Sequence, residues 1–305
     1  MALKGMMYSA GMSKSKLVLG TVQFGMPYGL HEAQPSKDTA FGILDEAYKR
    51  GITTFDTAQS YGSAEEVLGE WIQRRGLEKG VYVTSKLRAS APSEPGQIRT
   101  EIEGSLKRLH LSKLDGYLLH APERMQDEAF MKEFRGLKDS GLADNTGVSI
   151  YDEKEALKAA RMSLEYIQIP YNALDQRLDK TDFFDVAAEN NVTIFARSAL
   201  LQGVLVTKID EIPTHLSHIR PFVETFQQIA KDADLTPLAA AFQYVYAQEH
   251  INHVVFGVQS VEQLLEIFDA IQSTANPSFI AACKKAFVNV PREVVHPQLW
   301  KGKRA

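Results

Sequence analysis

Asp56, Tyr61, Lys86 and His120 put a carboxylate, a phenol, an amine and an imidazole at the ends of short apolar runs, or just after them. Thr53-Thr54-Phe55 leads into Asp56, Val81-Tyr82-Val83-Thr84-Ser85 into Lys86, and Gly116-Tyr117-Leu118-Leu119 into His120. A charge in such a place faces partial burial and must be paired, so Asp56 and Lys86 on neighbouring strands form the natural couple. Singly, each residue has a bland reading: a turn aspartate, an exposed strand-end cation, a hydrogen-bonding core histidine. Jointly, three strands delivering an acid, a base and an imidazole beside a loop tyrosine suit proton transfer to a reacting oxygen. Lys86 also admits Schiff-base chemistry, which would make the chain a lyase or aldolase.

Such a constellation needs elements that converge. Runs rich in β-branched and aromatic residues occur at 17–25, 53–58, 81–87, 114–121, 145–151, 166–172, 192–200 and 253–258. Helical patterns lie between or after them at 37–50, 64–75, 96–110, 127–140, 153–161, 180–190, 220–248 (a double stretch) and 260–272. Ser36-x-x-Thr39 offers a cap for the first helix, and Gly51, Gly76 and Gly141 sit where left-handed C-caps would end three of them. Strands too continuously apolar to have a wet face, each followed by a helix, predict a parallel sheet closed into a single (β/α)8 TIM barrel. A doubly wound open sheet would carry Gly-x-Gly-x-x-Gly after its first strand, and Gly20-Thr21-Val22-Gln23-Phe24-Gly25 does not. The barrel is assigned to 17–288, with an N-terminal lead at 1–16 and a tail at 289–305 that either folds over the mouth or ends as a solvated terminus. In a barrel the strand C-termini surround one mouth, so Ser149, Gln168, Asn172, Arg197 and Ser198 join the ring. The irregular piece 206–220 reads as a functional loop beside it.

Composition narrows the partners. The chain has 305 residues, 34 Lys+Arg against 38 Asp+Glu, and a formal net charge of −4, which indicates no polyanion-binding surface and no nucleic-acid partner. Cys283 stands alone, so no intrachain disulfide forms. No run approaches the ~18 apolar residues of a membrane span, and the opening segment has no apolar signal core. A cytoplasmic protein, monomeric or a small homo-oligomer, is expected. His215-x-x-His218 and His250-x-x-His253 have helical ligand spacing but no third ligand nearby, so no metal is expected.

Asp56-Thr57-Ala58-x-x-Tyr61-Gly62 with Glu65 and Leu68-Gly69, Lys86 after its strand, and Leu118-Leu119-His120 preceded by Ser105-Leu106-x-x-Leu109 resemble, in order and spacing, the signature of the aldo-keto reductase family. The resemblance runs from about Leu17 to Ala270. It implies an oxidoreductase reducing a small-molecule aldehyde or ketone to an alcohol by hydride transfer from a nicotinamide cofactor. Tyr61 would be the general acid, Lys86 would lower its pKa, Asp56 would hold Lys86, and His120 would orient the carbonyl. A nicotinamide-sensing regulatory subunit is the alternative, against which the intact set of four argues.

The resemblance also implies cofactor contacts at Thr21, Ser149, Gln168, Arg197, Ser198, Leu200, Gln202, Gly203, Gly257, Gln259, Ser260, Gln263 and Glu266. Ser149 and Gln168 fall at the nicotinamide carboxamide, although Ile150 stands where the family commonly has Asn. Arg197 stands where the family has a tyrosine stacking on the nicotinamide; it could stack, or reach an anionic substrate or the pyrophosphate, and a cofactor role is preferred. Neutral Gln259 and Gln263 replace an arginine common near the adenosine, so NADPH is the family default while NADH stays open. Gln23, Phe24 and Tyr28 are the substrate-side candidates, and Gln23, Arg197 and His215 hint at a polar or anionic carbonyl compound.

Overall fold

The computed structural model describes residues 14–30, 34–92, 94, 96–272 and 276–300. Eight strands, β1 (Leu17–Gly20), β2 (Thr54–Asp56), β3 (Tyr82–Leu87), β4 (Leu114–Leu119), β5 (Ala143–Ser149), β6 (Tyr166–Pro170), β7 (Thr193–Arg197) and β8 (His253–Phe256), run in sequence order around a closed barrel. Every neighbouring pair is parallel, and β1 closes on β8 with Val18 opposite Val255. The helices are α1 (Val22–Gly25), α2 (Lys37–Lys49), α3 (Ala64–Arg75), α4 (Gln97–Leu109), α5 (Glu128–Gly136), α6 (Glu153–Ala160), α7 (Phe183–Glu189), α8 (Arg220–Asp232), α9 (Pro237–Tyr246), α10 (Val261–Gln272), α11 (Pro277–Ala286) and α12 (Arg292–Val295).

Local chemistry starts and stops these elements as expected. The Ser36 side chain accepts from the Thr39 amide at the head of α2, and Gly51 and Gly76 take φ of 90° and 65° at the ends of α2 and α3, whereas Gly141, with φ of 71°, lies five residues beyond the end of α5. Three other expectations differ. The first strand ends at Gly20 rather than at Gly25, and Val22-Gln23-Phe24 forms one helical turn, α1. The seventh strand stops at Arg197, because Ser198, Leu201 and Gln202 take positive φ in the loop beyond it. Helix α11 was not expected, although Asn276-Pro277 supplies its capping side chain and first-turn proline.

Side chains alternate in and out along each strand. Val18, Leu118, Tyr166, Phe195 and Val255 form an apolar cluster separate from the larger core between barrel and helices. Below it the last residues of the lead meet the strands: Lys14 Nζ lies 2.6 Å from Asp115 Oδ1, and His253 Nδ1 2.9 Å from the Ser15 carbonyl. The lead before Lys14 and the tail beyond Trp300 lie outside the described residues.

Candidate active site

Two positions beyond Leu118, Tyr166 and Phe195 of the apolar layer come His120, Gln168 and Arg197, while Gly20 and Gly257 follow Val18 and Val255. Asp56 on β2 and Lys86 on β3 are 3% and 0% exposed, and Lys86 Nζ donates to Asp56 Oδ1 over 2.6 Å and to the Thr57 carbonyl over 2.9 Å. Gln168 on β6 donates from Nε2 to Asp56 Oδ2 over 2.8 Å, and the Ser149 hydroxyl on β5 donates to Gln168 Oε1 over 3.2 Å. Four strands are thereby joined by a buried polar network that satisfies each charge with a partner.

Tyr61 and His120 stand above this network. Lys86 Nζ is 5.0 Å from the Tyr61 ring centroid, and the Tyr61 and His120 rings meet edge-on, with centroids 5.6 Å apart. Burial and the Asp56 carboxylate push the Tyr61 phenol well above its ordinary value, with Arg197 opposing. The lowering expected from Lys86 is outweighed here by burial of the phenol. Burial, with the Lys86 and Arg197 cations, drops His120 to about 3, so its imidazole is neutral. Its Nδ1 lies 2.9 Å from Ser60 Oγ. With the serine donating, Nε2 carries the proton and is free to donate to a ligand oxygen.

Glycine decides where Tyr61 sits. A Cβ on Gly25 would lie 1.8 Å from the Tyr61 carbonyl oxygen, and one on Gly62, where φ is 55°, 2.2 Å from the Gly25 carbonyl oxygen. Helix α1 can therefore press directly against the tyrosine loop.

A cleft of about 940 Å³ opens from this centre, and Asp56, Tyr61, Gln168 and Arg197 line its inner end. Of the cofactor and substrate candidates, Thr21, Gln23, Tyr28, Ser198, Leu200, Gln202, Gly203, Gly257, Gln259, Gln263 and Glu266 also line it. Phe24 does not: it is 2% exposed and packs in the core, held there by α1. Thr21 serves the frame, its amide and hydroxyl both donating to the Asp56 carbonyl. Gln168, assigned to the nicotinamide carboxamide, has both ends of its amide engaged by Asp56 and Ser149. The atoms of Ser260 and Gln263 are partly spent on the start of α10, where Gln263 N donates to Ser260 Oγ and Gln263 Oε1 accepts from Gln259 N.

The 206–220 loop does reach the cleft, where Thr207, Lys208 and Glu211 line it and Lys208 pairs with Glu211 at 3.2 Å. Thr236 and Asp269, which also line it, were missed by sequence reasoning. Asn172, read only as a strand-end polar residue, donates to the Ser198 carbonyl and accepts from the Leu174 and Asp175 amides, which anchors the β7 loop. The Arg197 guanidinium carbon stands 3.9 Å over the Tyr151 ring, whose centroid is 4.7 Å from that of buried His296 in the tail. Arg292 Nη1 of the tail also lies 3.1 Å from Asp152 Oδ2. None of these contacts has a periodicity that a sequence displays. His215, the remaining substrate hint, is exposed on a 3-10 turn, Thr214–Ile219, and does not line the cleft. Among the described residues no group of three or more metal-ligating side chains gathers, and no helix is long and apolar enough to cross a membrane.

Comparison with known proteins gives a consistent likeness. Residues 16–287 match the model of the Aldo/keto reductase family. The chain is 26% identical to the oxidoreductase YrpG of Bacillus subtilis (strain 168), over 95% of this chain and 97% of that one. It is 30% identical to an oxidoreductase of Mycobacterium bovis, over 82% of each. The holo form of an aldo-keto reductase from Bacillus halodurans superposes with a TM-score of 0.71 at 22% identity, over 93% of this chain and 96% of that structure.

Proposed function

The chain belongs to the aldo/keto reductase family, an oxidoreductase family of carbonyl chemistry, and on that premise we propose that it reduces an aldehyde or ketone with Tyr61 as general acid and a nicotinamide cofactor in the cleft. The observation that carries this reading is the buried Lys86–Asp56 pair beneath Tyr61, with neutral His120 against the same ring.

The cleft suits a dinucleotide. Its volume is in the range of cofactor sites. Gln23 Oε1 is buried at the cleft without a hydrogen-bond partner, and Gly257, whose Cβ would lie 2.2 Å from it, leaves room for that amide to stand there. Ser198, Leu200, Gln202 and Gly203 would hold the nicotinamide and pyrophosphate, and Gln259, Gln263 and Glu266 the adenosine. Bound nicotinamide supplies the hydride.

The protein's own residues then manage the oxygen. Burial keeps Tyr61 a phenol, so it meets the carbonyl as a donor, and His120 Nε2–H supplies a second hydrogen bond to the same atom. As the proton leaves Tyr61, the fixed Lys86 ammonium stabilises the phenolate, and Asp56 with the Thr57 carbonyl prevents that cation from moving away. Tyr61→Phe should lower turnover by about 10²–10⁴-fold while cofactor still binds, measured by nicotinamide absorbance and fluorescence titration. Normal turnover in that variant would sink the proposal. Borohydride with substrate should leave no adduct on Lys86, whose ammonium is already committed.

The outer cleft favours NADH over the family's default NADPH. Glu266 and Asp269 line it, and Lys208 is paired with Glu211. Carboxylates accept from a ribose 2′-hydroxyl and repel a 2′-phosphate. The ratio of kcat/KM for the two cofactors should therefore exceed one in favour of NADH, and Glu266→Gln should reduce it.

A further inference from the structure

Arg197 ends β7 at the inner cleft, half-buried, and its partners are all neutral. Nη2 donates to the Ile150 carbonyl over 3.0 Å, Nη1 to Ser198 Oγ over 3.3 Å, and the guanidinium face covers Tyr151. Two half-buried arginines here are paired with acids, Arg177 Nε with Asp175 over 2.7 Å and Arg108 Nη2 with Glu65 Oε2 over 2.7 Å. Arg124, Arg135 and Arg220 donate to backbone carbonyls instead, and of all these Arg197 is the one that lines the cleft. Among the described residues no carboxylate forms an ion pair with Arg197, and the acid of the site, Asp56, is taken by Lys86 and Gln168.

A partly desolvated cation without a counter-ion is costly, and the cost is recovered when a ligand brings the anion. The position is also rigid. Tyr151 supports one face of the guanidinium, buried His296 supports Tyr151, and Asn172 ties down the Ser198 carbonyl next in the chain. A planar, preorganised fork is suited to two parallel hydrogen bonds to a carboxylate or phosphate. Arg197 lines the cleft together with Asp56 and Tyr61, and its charge acts on Tyr61, Lys86 and His120, so an anion bound to it lies near the reacting carbonyl.

We propose that Arg197 is a specificity-determining residue that binds the carboxylate or phosphate of an anionic carbonyl substrate, whose carbonyl it presents to Tyr61 and His120. The proposal rests on the carbonyl-reducing role above and names its substrate class.

The test compares charged and neutral partners, 4-carboxybenzaldehyde with benzaldehyde and glyceraldehyde 3-phosphate with glyceraldehyde, in the wild type, Arg197→Met and Arg197→Lys. The charged-over-neutral ratio of kcat/KM should fall about 10- to 100-fold in Arg197→Met, the loss of a charge-assisted bond, and recover in part in Arg197→Lys. A ratio that does not change while both members slow overturns the proposal, since Arg197 would then act only on Tyr61 or on the fold. An unchanged ratio with cofactor affinity about tenfold weaker also overturns it and gives Arg197 to a cofactor phosphate. If the wild type reduces none of the four, the reductase reading itself fails. Calorimetric titration of benzoate then decides: binding lost in Arg197→Met supports the anion site, and binding that is absent or indifferent to the variant overturns it.

Discussion

At the scale of residues, the site keeps one buried charge pair fixed beneath a neutral phenol and imidazole, with Arg197 as a further cation beside them. Asp56→Asn would strand the buried Lys86 ammonium and should cost about 3–5 kcal/mol of stability; adding Lys86→Met should return part of it, read by urea unfolding of the single and double variants. His120 gives a pH signature. Its native imidazole protonates only near pH 3, whereas the unfolded one does so near its ordinary 6.5, so between these values the unfolded state binds more protons and stability falls as pH falls. His120→Asn should make that fall shallower between about pH 6.5 and pH 3 in a urea series. The identities of Asp56, Tyr61, Lys86 and His120 were legible because each ends or follows an apolar run. The Asp56–Lys86 pairing and the place of Gln168 at the mouth were legible too, but the contact of Ser60 with His120 and the hydrogen bond from Gln168 across the barrel to Asp56 were not, because neither has a spacing to betray it. The electrostatics of Tyr61 were less legible: the Asp56–Lys86 pair can be read from the sequence, whereas the depth at which the phenol is buried, which raises it, comes only from the fold.

At the scale of elements, the eight strands were readable and their ends were not. Residues 22–24 read as part of the first strand, yet close packing of Gly25 against the Tyr61 loop turns them into α1. Tertiary fit overrode local pattern there, and it moved Phe24 from the mouth to the core. The same contact yields a prediction. Gly25→Ala drives a Cβ into the Tyr61 carbonyl, so kcat should drop by about 10²-fold through displacement of the tyrosine; stopped assays should show this loss while thermal unfolding confirms a folded barrel. Had the loop been merely a connector, kcat would follow stability alone.

At the scale of the whole molecule, the chain's last described segment belongs to the mouth. His296 and Trp300 are 5% and 4% exposed, and Trp300 Nε1 donates to the Glu293 carbonyl. A chain ending after Val290 should unfold several degrees lower and should also lose part of its preference for anionic carbonyls, because Tyr151 would lose its backing. Thermal scans and the same substrate pairs measure both. The barrel network has a further consequence. Asp56, Tyr61, Lys86 and His120 all come from the first four strand–loop units, whereas Ser149, Gln168 and Arg197 come from the last four, and one hydrogen bond, Gln168 to Asp56, ties the sets together. Bond-making machinery and ligand selection are thus inherited on separate halves of the polypeptide. A gene recombined near its midpoint could exchange preferences while retaining its chemistry, provided that the incoming half still carries a glutamine able to span the barrel.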